Sequence, residues 1–442
     1  MVIIMFTSIV KYHAEPQIAL VFGCFISGLV SLWIGYSWEE ILEGMIHGIT
    51  NSLEAILILL LIGILVGSWI AGGTVPTMIY YGLMIVSPAF FLPATMVTCL
   101  LVGFAIGSWG TVGTVGLAFM GIGLALQIPA PVIAGAVISG AYMGEIVSPL
   151  SDATNLCAAV VNKNVFDIVK KVIKPAVFIC IVTLVLYTIV NRKYALADPS
   201  GIKASIQPLL DSMTAQFNIT PIALLPMIIM VIFILLKVPA IPAMFIGGIC
   251  GMIEAFLLQG VEIGDILSCA YSGYVSQSGN EMIDHLLTAG GMEEMLEPIS
   301  IIIIAMSFGG IMRHTRQMDA LVKPIVSHIH SEGVMNLTAV VTCIGMNIIL
   351  PDQYLGISIP GQMYAEGYEK QNISRVELAS ALLGGGAVTS PLIPWNTCGI
   401  YCMAILGVTP SAYAPYAYFT LLLPIAVIVF GFVGVLLKTS HQ

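Results

Sequence analysis

Long apolar runs dominate the chain. Those near residues 17–36, 54–71, 174–192, 220–236, 238–259, 297–312 and 415–437 approach the roughly 20 apolar residues a helix needs to cross hydrocarbon. The short alternating segments of a membrane β-barrel are not seen. Between the runs lie stretches that are apolar but interrupted. Residues 93–127 carry GSWGTVGTVG (107–116) and 131–162 carry SPLSDATN (148–155). Residues 334–366 carry LPDQYLGIS (350–358), and 376–408 carry GGGAVTSPLIPWNT (384–397). Gly, Pro and polar residues at membrane depth free backbone groups that lipid cannot satisfy, so such segments must face protein or line a cavity. The pattern predicts an all-α polytopic membrane protein with re-entrant hairpins and discontinuous helices. Non-helical breaks are expected at Gly110–Gly116, Ser148–Asn155, Leu350–Ser358 and Ser390–Thr397.

The interruptions repeat. VTC at 97–99 returns at 341–343, SPL at 148–150 returns at 390–392, and LEAI at 53–56 returns as LEPI at 296–299. The offsets are 244, 242 and 243, in the same order. Five segments follow: an N-terminal span (1–39), a first repeat (40–162), connecting spans (163–264), a second repeat (265–408) and a C-terminal span (409–442). Equivalent points of the copies carry opposite charge bias. Residues 72–92 hold no Lys or Arg, whereas Arg313, Arg316 and Lys323 follow the matching span. Lys163, Lys170, Lys171 and Lys174 close the first copy, and the second has no basic residue at its end before Lys438. By the positive-inside rule the copies lie inverted in the membrane. With 93–127 and 334–366 as re-entrant hairpins, nine crossings remain and the C-terminus is inside. Arg192, Lys193 and Lys203 fall outside in this scheme, in or beside the long polar loop 193–219.

Composition narrows the classes. Charged residues are 9% of the 442 positions and hydrophobic ones 58%, against roughly 25% charged in an ordinary globular protein. A soluble surface cannot be built from so few charges, and no basic stripe suits nucleic acid. The nine Cys have no C-x-x-C pair and read as small buried hydrophobes, including Cys398 and Cys402 four residues apart. No P-loop, nucleophile–base pair or metal-ligand constellation is visible, so the chain reads as neither an enzyme nor an ATP-driven pump, with no cofactor. No cleavable signal stands at the N-terminus.

In an inverted-repeat transporter, substrate and coupling ions bind at the midplane where helices break. SPLSDATN offers Ser148, Ser151, Asp152, Thr154 and Asn155, and its partner offers Thr389, Ser390, Asn396 and Thr397. Such oxygens suit a hard cation such as Na+. They also serve as glue between membrane helices, and for any one hydroxyl the two uses weigh equally. Asp152 is the sole carboxylate of the matched pair. Expected to be buried, it would hold either H+ or Na+, with Thr154 and Asn155 as co-ligands, and that competition is the minimum chemistry of exchange. Secondary candidates are Thr111, Thr114, Glu145, Asp352 and Gln353. Glu54 and Glu297 read as interfacial caps, Glu254 as a packing contact, and His314, His328 and His330 as a solvated basic loop. Glu39, Glu40 and Glu43 beside Trp38 read as an amphipathic surface helix.

GTVGTVGLAFMGIG (110–123), GAYMGEIVSPLSDATNL (140–156), DQYLGISIPGQMY (352–364) and SPLIPWNTCG (390–399) together resemble the NhaC-type sodium/proton antiporters of the ion-transporter superfamily. Similarity runs from GYSWEEILEGM (35–45) to the last span. The resemblance implies inverted repeats, a homodimer in the cell membrane and Na+/H+ exchange. One branch exchanges malate plus H+ for lactate plus Na+. The family's SPLSD-x-TN motif maps on Ser148 to Asn155, and its IPWNT motif on Ile393 to Thr397. Three departures stand out. Ile146 follows Glu145 where the family has Lys after an acid, Gln362 follows IPG where it has Arg, and Ala and Leu replace an acidic pair around 381–383. The N-terminus reads as one leading span short.

Overall fold

The computed structural model describes residues 16–85, 88–195, 199–236, 238–279, 283–284, 287–317, 331–371 and 373–439. His328, His330 and Lys323 lie outside the described residues. Among the described residues the elements are helices joined by turns and irregular stretches, with one isolated bridge between Tyr274 and Ala289. The first half comprises α1 (Pro16–Trp33), α2 (Trp38–Thr50), α3 (Leu53–Ala71), α4 (Thr74–Ile85), α5 (Phe91–Thr111), α6 (Leu117–Ala125), α7 (Ala130–Val147) and α8 (Asp152–Val161). The connection contains α9 (Val165–Ala195), α10 (Pro199–Gln216) and α11 (Leu225–Leu235). Then come α12 (Ala240–Leu257), α13 (Ile263–Ser272), α14 (Leu296–His314), α15 (Glu332–Ile349), α16 (Gln353–Lys370), α17 (Arg375–Leu382), α18 (Thr397–Leu406), α19 (Pro410–Tyr413) and α20 (Tyr418–Thr439). Among the described residues six helices are long and apolar enough to cross a membrane, or up to nine if each bent pair is one span.

The repeat is visible in the element boundaries. α3 and α14 start and stop 243 residues apart at both ends, and α8 and α18 do so 245 apart. Both short helices end on a left-handed residue, Asn162 and Gly407. The partners are exchanged: α1 and α2 pack on α14, and α12 and α13 pack on α3. Likewise α8 docks on α16 of the second half, while α18 docks on α6 and the wide turn before it. Each half therefore completes the other.

Small residues allow these helices to meet, as expected where apolar burial alone cannot drive association. A Cβ on Gly48 of α2 would lie 2.1 Å from Met306 O, and one on Gly310 of α14 would lie 2.1 Å from Gly44 O. On α7, a Cβ at Gly140 would lie 2.3 Å from Met96 O and one at Gly144 2.4 Å from Leu100 O. α2 itself starts with a reciprocal cap: Glu40 N–H donates to Ser37 Oγ at 3.3 Å, and Ser37 N–H donates to Glu40 Oε2 at 2.7 Å. That backbone bond holds the Glu40 carboxyl below the usual carboxylate range. α2 buries Ile41, Gly44 and Gly48 and leaves Glu39, Glu40 and Glu43 exposed.

Two of the expected breaks are shorter than the motifs suggested, one is displaced, and the one at Ser390 keeps its expected extent as far as Asn396. Gly107, not Gly110–Gly116, interrupts α5, with φ 78° and ψ 175°, a conformation open to glycine alone. Residues 112–116 remain helical as a single wide turn. Thr111 Oγ1 donates to Gly107 O and Thr114 Oγ1 to Gly110 O, both at 2.7 Å, so the loosened carbonyls are satisfied in place. The break near 148 ends at Ser151 and that near 350 at Asp352, because each of these residues caps the helix that follows.

Gly140→Ala is expected to be among the most destabilising single-methyl changes in this protein. The new methyl meets backbone rather than a movable side chain, and overpacking of this kind costs about 3 kcal/mol. A fall in the thermal midpoint of the purified protein, absent for Ala at the open Gly345, checks it.

Candidate functional site

The first break follows α7. Pro149 has no N–H and its ring clashes with a preceding helical turn, so the helix stops at Val147 and Ser148 turns extended. Ser148 Oγ donates to Phe104 O at 2.6 Å and accepts from Leu150 N–H at 3.1 Å. Ser151 caps α8 and donates to Thr154 Oγ1 at 2.9 Å, which donates on to Glu145 O at 3.2 Å. Asn155 Nδ2 donates to Pro149 O at 3.0 Å and Ser151 O at 2.8 Å. The motif's polar side chains thus close the backbone that the break opens.

The second break uses other residues for the same task. Ser390–Leu392 makes one tight turn, residues 393–396 run irregularly, and Asn396 caps α18 by accepting from Cys398 N–H at 3.1 Å. Asn396 Nδ2 donates to Asn347 O at 3.2 Å, and Thr397 N–H donates to Pro351 O at 2.9 Å. Asn347 Nδ2 donates to Gly386 O at 2.6 Å and Thr389 Oγ1 at 3.1 Å. Ser390 Oγ donates to Ala387 O at 2.7 Å, and the Tyr413 hydroxyl donates to Pro391 O.

The two breaks meet through the second hairpin. Gln353, in the first turn of α16, donates from Nε2 to Glu145 Oε2 at 3.4 Å and accepts from Cys398 Sγ at 2.8 Å. One amide therefore joins the end of α7, the start of α16 and the start of α18. Glu145 is only 6% exposed. The buried Ser108 hydroxyl lies beside it as a hydrogen-bonding neighbour, and the buried Tyr142 hydroxyl lies between it and Cys398. The far wall is aromatic: Trp109 and Tyr401 stack with centroids 4.2 Å apart, and the Tyr401 hydroxyl donates to Trp109 O at 2.6 Å. Among the described residues no Lys or Arg forms an ion pair with Glu145.

The structure overturns the expected burial of Asp152. Asp152 is exposed, as is Asn155. The turn at Pro149 places residue 152 at the outer edge of α8, while Ser151 and Thr154 face inward. The buried acid is Glu145. Asp352 is half-buried and caps α16, its Oδ1 accepting from Leu355 N–H at 3.0 Å. Thr111 and Thr114 are committed to the wide turn. Glu254 accepts from Thr74 Oγ1 at 2.9 Å, a packing contact between α12 and α4. Site reasoning passed over Asn347, Cys398, Tyr142 and Ser108. Asn347 carried a signal, an amide one turn before LPD, whereas the other three are ordinary membrane-helix residues by pattern.

A family model described as the Na+/H+ antiporter family matches residues 2–192 and 140–435. The chain belongs to the Na+/H+ antiporter family. It is 33% identical over 98% of its length, and 94% of the relative's, to "Na(+)/H(+) antiporter NhaC" of Alkalihalophilus pseudofirmus. It is 34% identical to "Malate-2H(+)/Na(+)-lactate antiporter" of Bacillus subtilis, over 95% of this chain and 89% of that one. It is 31% identical to "Arginine/ornithine antiporter ArcD" of Halobacterium salinarum, over 98% and 90%. Antiporters of this family thus bear names with quite different cargoes on one chain plan.

Asn347→Ala is expected to leave Gly386 O and Thr389 Oγ1 short of a donor in a buried setting. Each orphaned group costs about 1–3 kcal/mol. The variant should show a lower thermal midpoint and lose transport together, measured on purified protein and in proteoliposomes.

Proposed function

We propose that this member of the family is a secondary active antiporter that exchanges Na+ for H+ across the cytoplasmic membrane by alternating access. The observation that carries the reading is Glu145, a buried carboxylate at the junction of both helix breaks with no cationic partner among the described residues. A carboxylate in that setting can be neutralised by a proton or a cation, and either one displaces the other. Asp152, the first residue of α8 just past the break, is the outer carboxylate that draws cations toward it. Ser148, Ser151, Thr154 and Asn155 from one half and Ser390, Asn396 and Thr397 from the other supply neutral oxygens and the fixed frame. Na+, the transported substrate, passes from Asp152 and Asn155 at the exposed edge of α8 to Glu145, while Thr154 faces inward as part of the frame. The protein transports rather than catalyses, uses no cofactor, and works as a multi-pass homodimer in the cell membrane with its C-terminus in the cytoplasm. Residues 40–162 and 265–408 act as the two inverted halves.

A second reading has support in the malate/lactate relative, which is as similar as the Na+/H+ relatives. In it the chain couples Na+ and H+ to an organic anion. The neutral and acidic lining of the junction favours a cation over a dianion.

Proteoliposome flux with Na+, K+, malate and lactate supplied singly separates the two. Na+ alone should drive proton movement; a strict need for malate or lactate would replace the first reading by the second. Glu145→Gln is expected to fold and to reduce Na+-driven proton flux to background. Asp152→Asn should retain exchange but raise the Na+ concentration for half-maximal flux by roughly tenfold, the scale of losing one supporting contact at a metal site. Full exchange by Glu145→Gln would place the proton elsewhere, with Asp152 and Asp352 next to test.

A further inference from the structure

The crossing of α2 and α14 leaves a crevice lined by none of the residues that join the two breaks. Its volume is about 240 Å³, and its lining is Gly44, His47, Gly310, Arg313 and His314. The two glycines form its floor and three nitrogen-rich side chains its rim. Its location follows from the packing. α1 and α14 run side by side in the same direction, with Gln17 against Ser300, Cys24 against Ile304 and Ser31 against Thr315. The crevice therefore lies where both helices end, beside the turn that carries Trp33 and Trp38. Those two indoles are 87% and 56% exposed. Exposed Trp next to the end of an apolar helix marks the membrane–water interface.

The rim is set up to donate. Arg313 Nη2 lies 2.9 Å and Asn51 Nδ2 3.2 Å from His47 Nδ1. Both neighbours are donors, so Nδ1 accepts and the ring proton sits on Nε2, free to donate outward. Arg313 keeps further N–H groups, and among the described residues no carboxylate forms an ion pair with it. The acids nearest the crevice are engaged by helix caps or exposed to solvent. Glu40, which faces His314, is tied to the Ser37 amide. Asp352, within electrostatic reach of Arg313, caps α16. Glu39 and Glu43 are exposed, and Arg316 adds a further exposed positive charge. A planar guanidinium flanked by imidazole donors matches tetrahedral phosphate oxygens.

We propose that this crevice is a binding site for a phosphate-bearing anion, the headgroup of an acidic phospholipid or free phosphate, held by Arg313, His47 and His314. Basic pockets between membrane helices are established places for such headgroups. Occupation would clamp α2 to α14 at the interface.

Purified full-length protein, stripped of lipid in a neutral detergent, is titrated with dioctanoyl phosphatidylglycerol, dioctanoyl phosphatidylcholine and inorganic phosphate. Tryptophan fluorescence and the thermal midpoint are followed. Saturable binding of phosphatidylglycerol with a raised midpoint, and little response to phosphatidylcholine, is expected and assigns a lipid source. Binding of inorganic phosphate at similar concentration assigns free phosphate and equally supports the site. Arg313→Gln should weaken binding roughly tenfold or more, and the exposed control Arg192→Gln should not. If Arg313→Gln fails to fold, His47→Gln combined with His314→Gln carries the same expectation. Absence of binding by both anions, or unaltered binding by these variants, overturns the proposal.

Discussion

Two interrupted helices in apolar surroundings impose the constraint on which the rest of this protein depends. A break at Pro149 or Pro391 releases backbone carbonyls and amides that lipid cannot take up, and each one left bare would cost several kcal/mol. The chain answers with short polar side chains at the break itself and with donors borrowed from elsewhere. Ser148 reaches Phe104 O, and Thr154 reaches Glu145 O. Asn396 reaches Asn347 O, and Thr397 N–H reaches Pro351 O. The partners at the second break belong to the hairpin before it. The hairpins in turn receive the short helix of the opposite half.

That exchange of partners explains why the functional candidates converge. Neither half holds all of the candidate residues. The first supplies Glu145 and the Pro149 turn, the second supplies Gln353 and Cys398, and a single amide bridges them. The contact between Glu145 and Gln353 is long, at 3.4 Å, so the acid is enclosed without being locked. Enclosure by neutral groups suits a carboxylate that must change partners. A fixed Arg or Lys would hold it permanently ionised.

Glycine spacing and hydroxyl placement do separate jobs in this architecture. The Gly44, Gly48 and Gly310 crossing and the Gly140, Gly144 face of α7 let backbones approach to distances at which a methyl group has no room. These contacts fix the frame around which the breaks are held. Thr111 and Thr114 do the opposite, sustaining a widened turn where a run of glycines would otherwise have come apart.

The sequence by itself determined the all-helical membrane character, the internal repeat and the approximate places where helices stop. Each rests on local chemistry: apolar length, near-constant spacing of VTC and SPL, and the missing N–H of proline. The matching boundaries of α3 with α14 and of α8 with α18 follow the same spacing. Which carboxylate is enclosed was decided only by tertiary structure. Asp152 and Glu145 stand seven residues apart on either side of one turn, and the direction of that turn sends one outward and the other into the junction. Gln353 was already a sequence candidate and Asn347 stood out as a buried amide, but which groups they and Cys398 contact was beyond reach of the pattern, since their partners lie 39 to 208 residues away along the chain. Even the position of the first hairpin's break, at Gly107 rather than 110–116, depended on whether nearby hydroxyls satisfy the opened carbonyls. Local sequence states that a helix can break; only the packed surroundings decide which freed groups find partners, and so where the break settles.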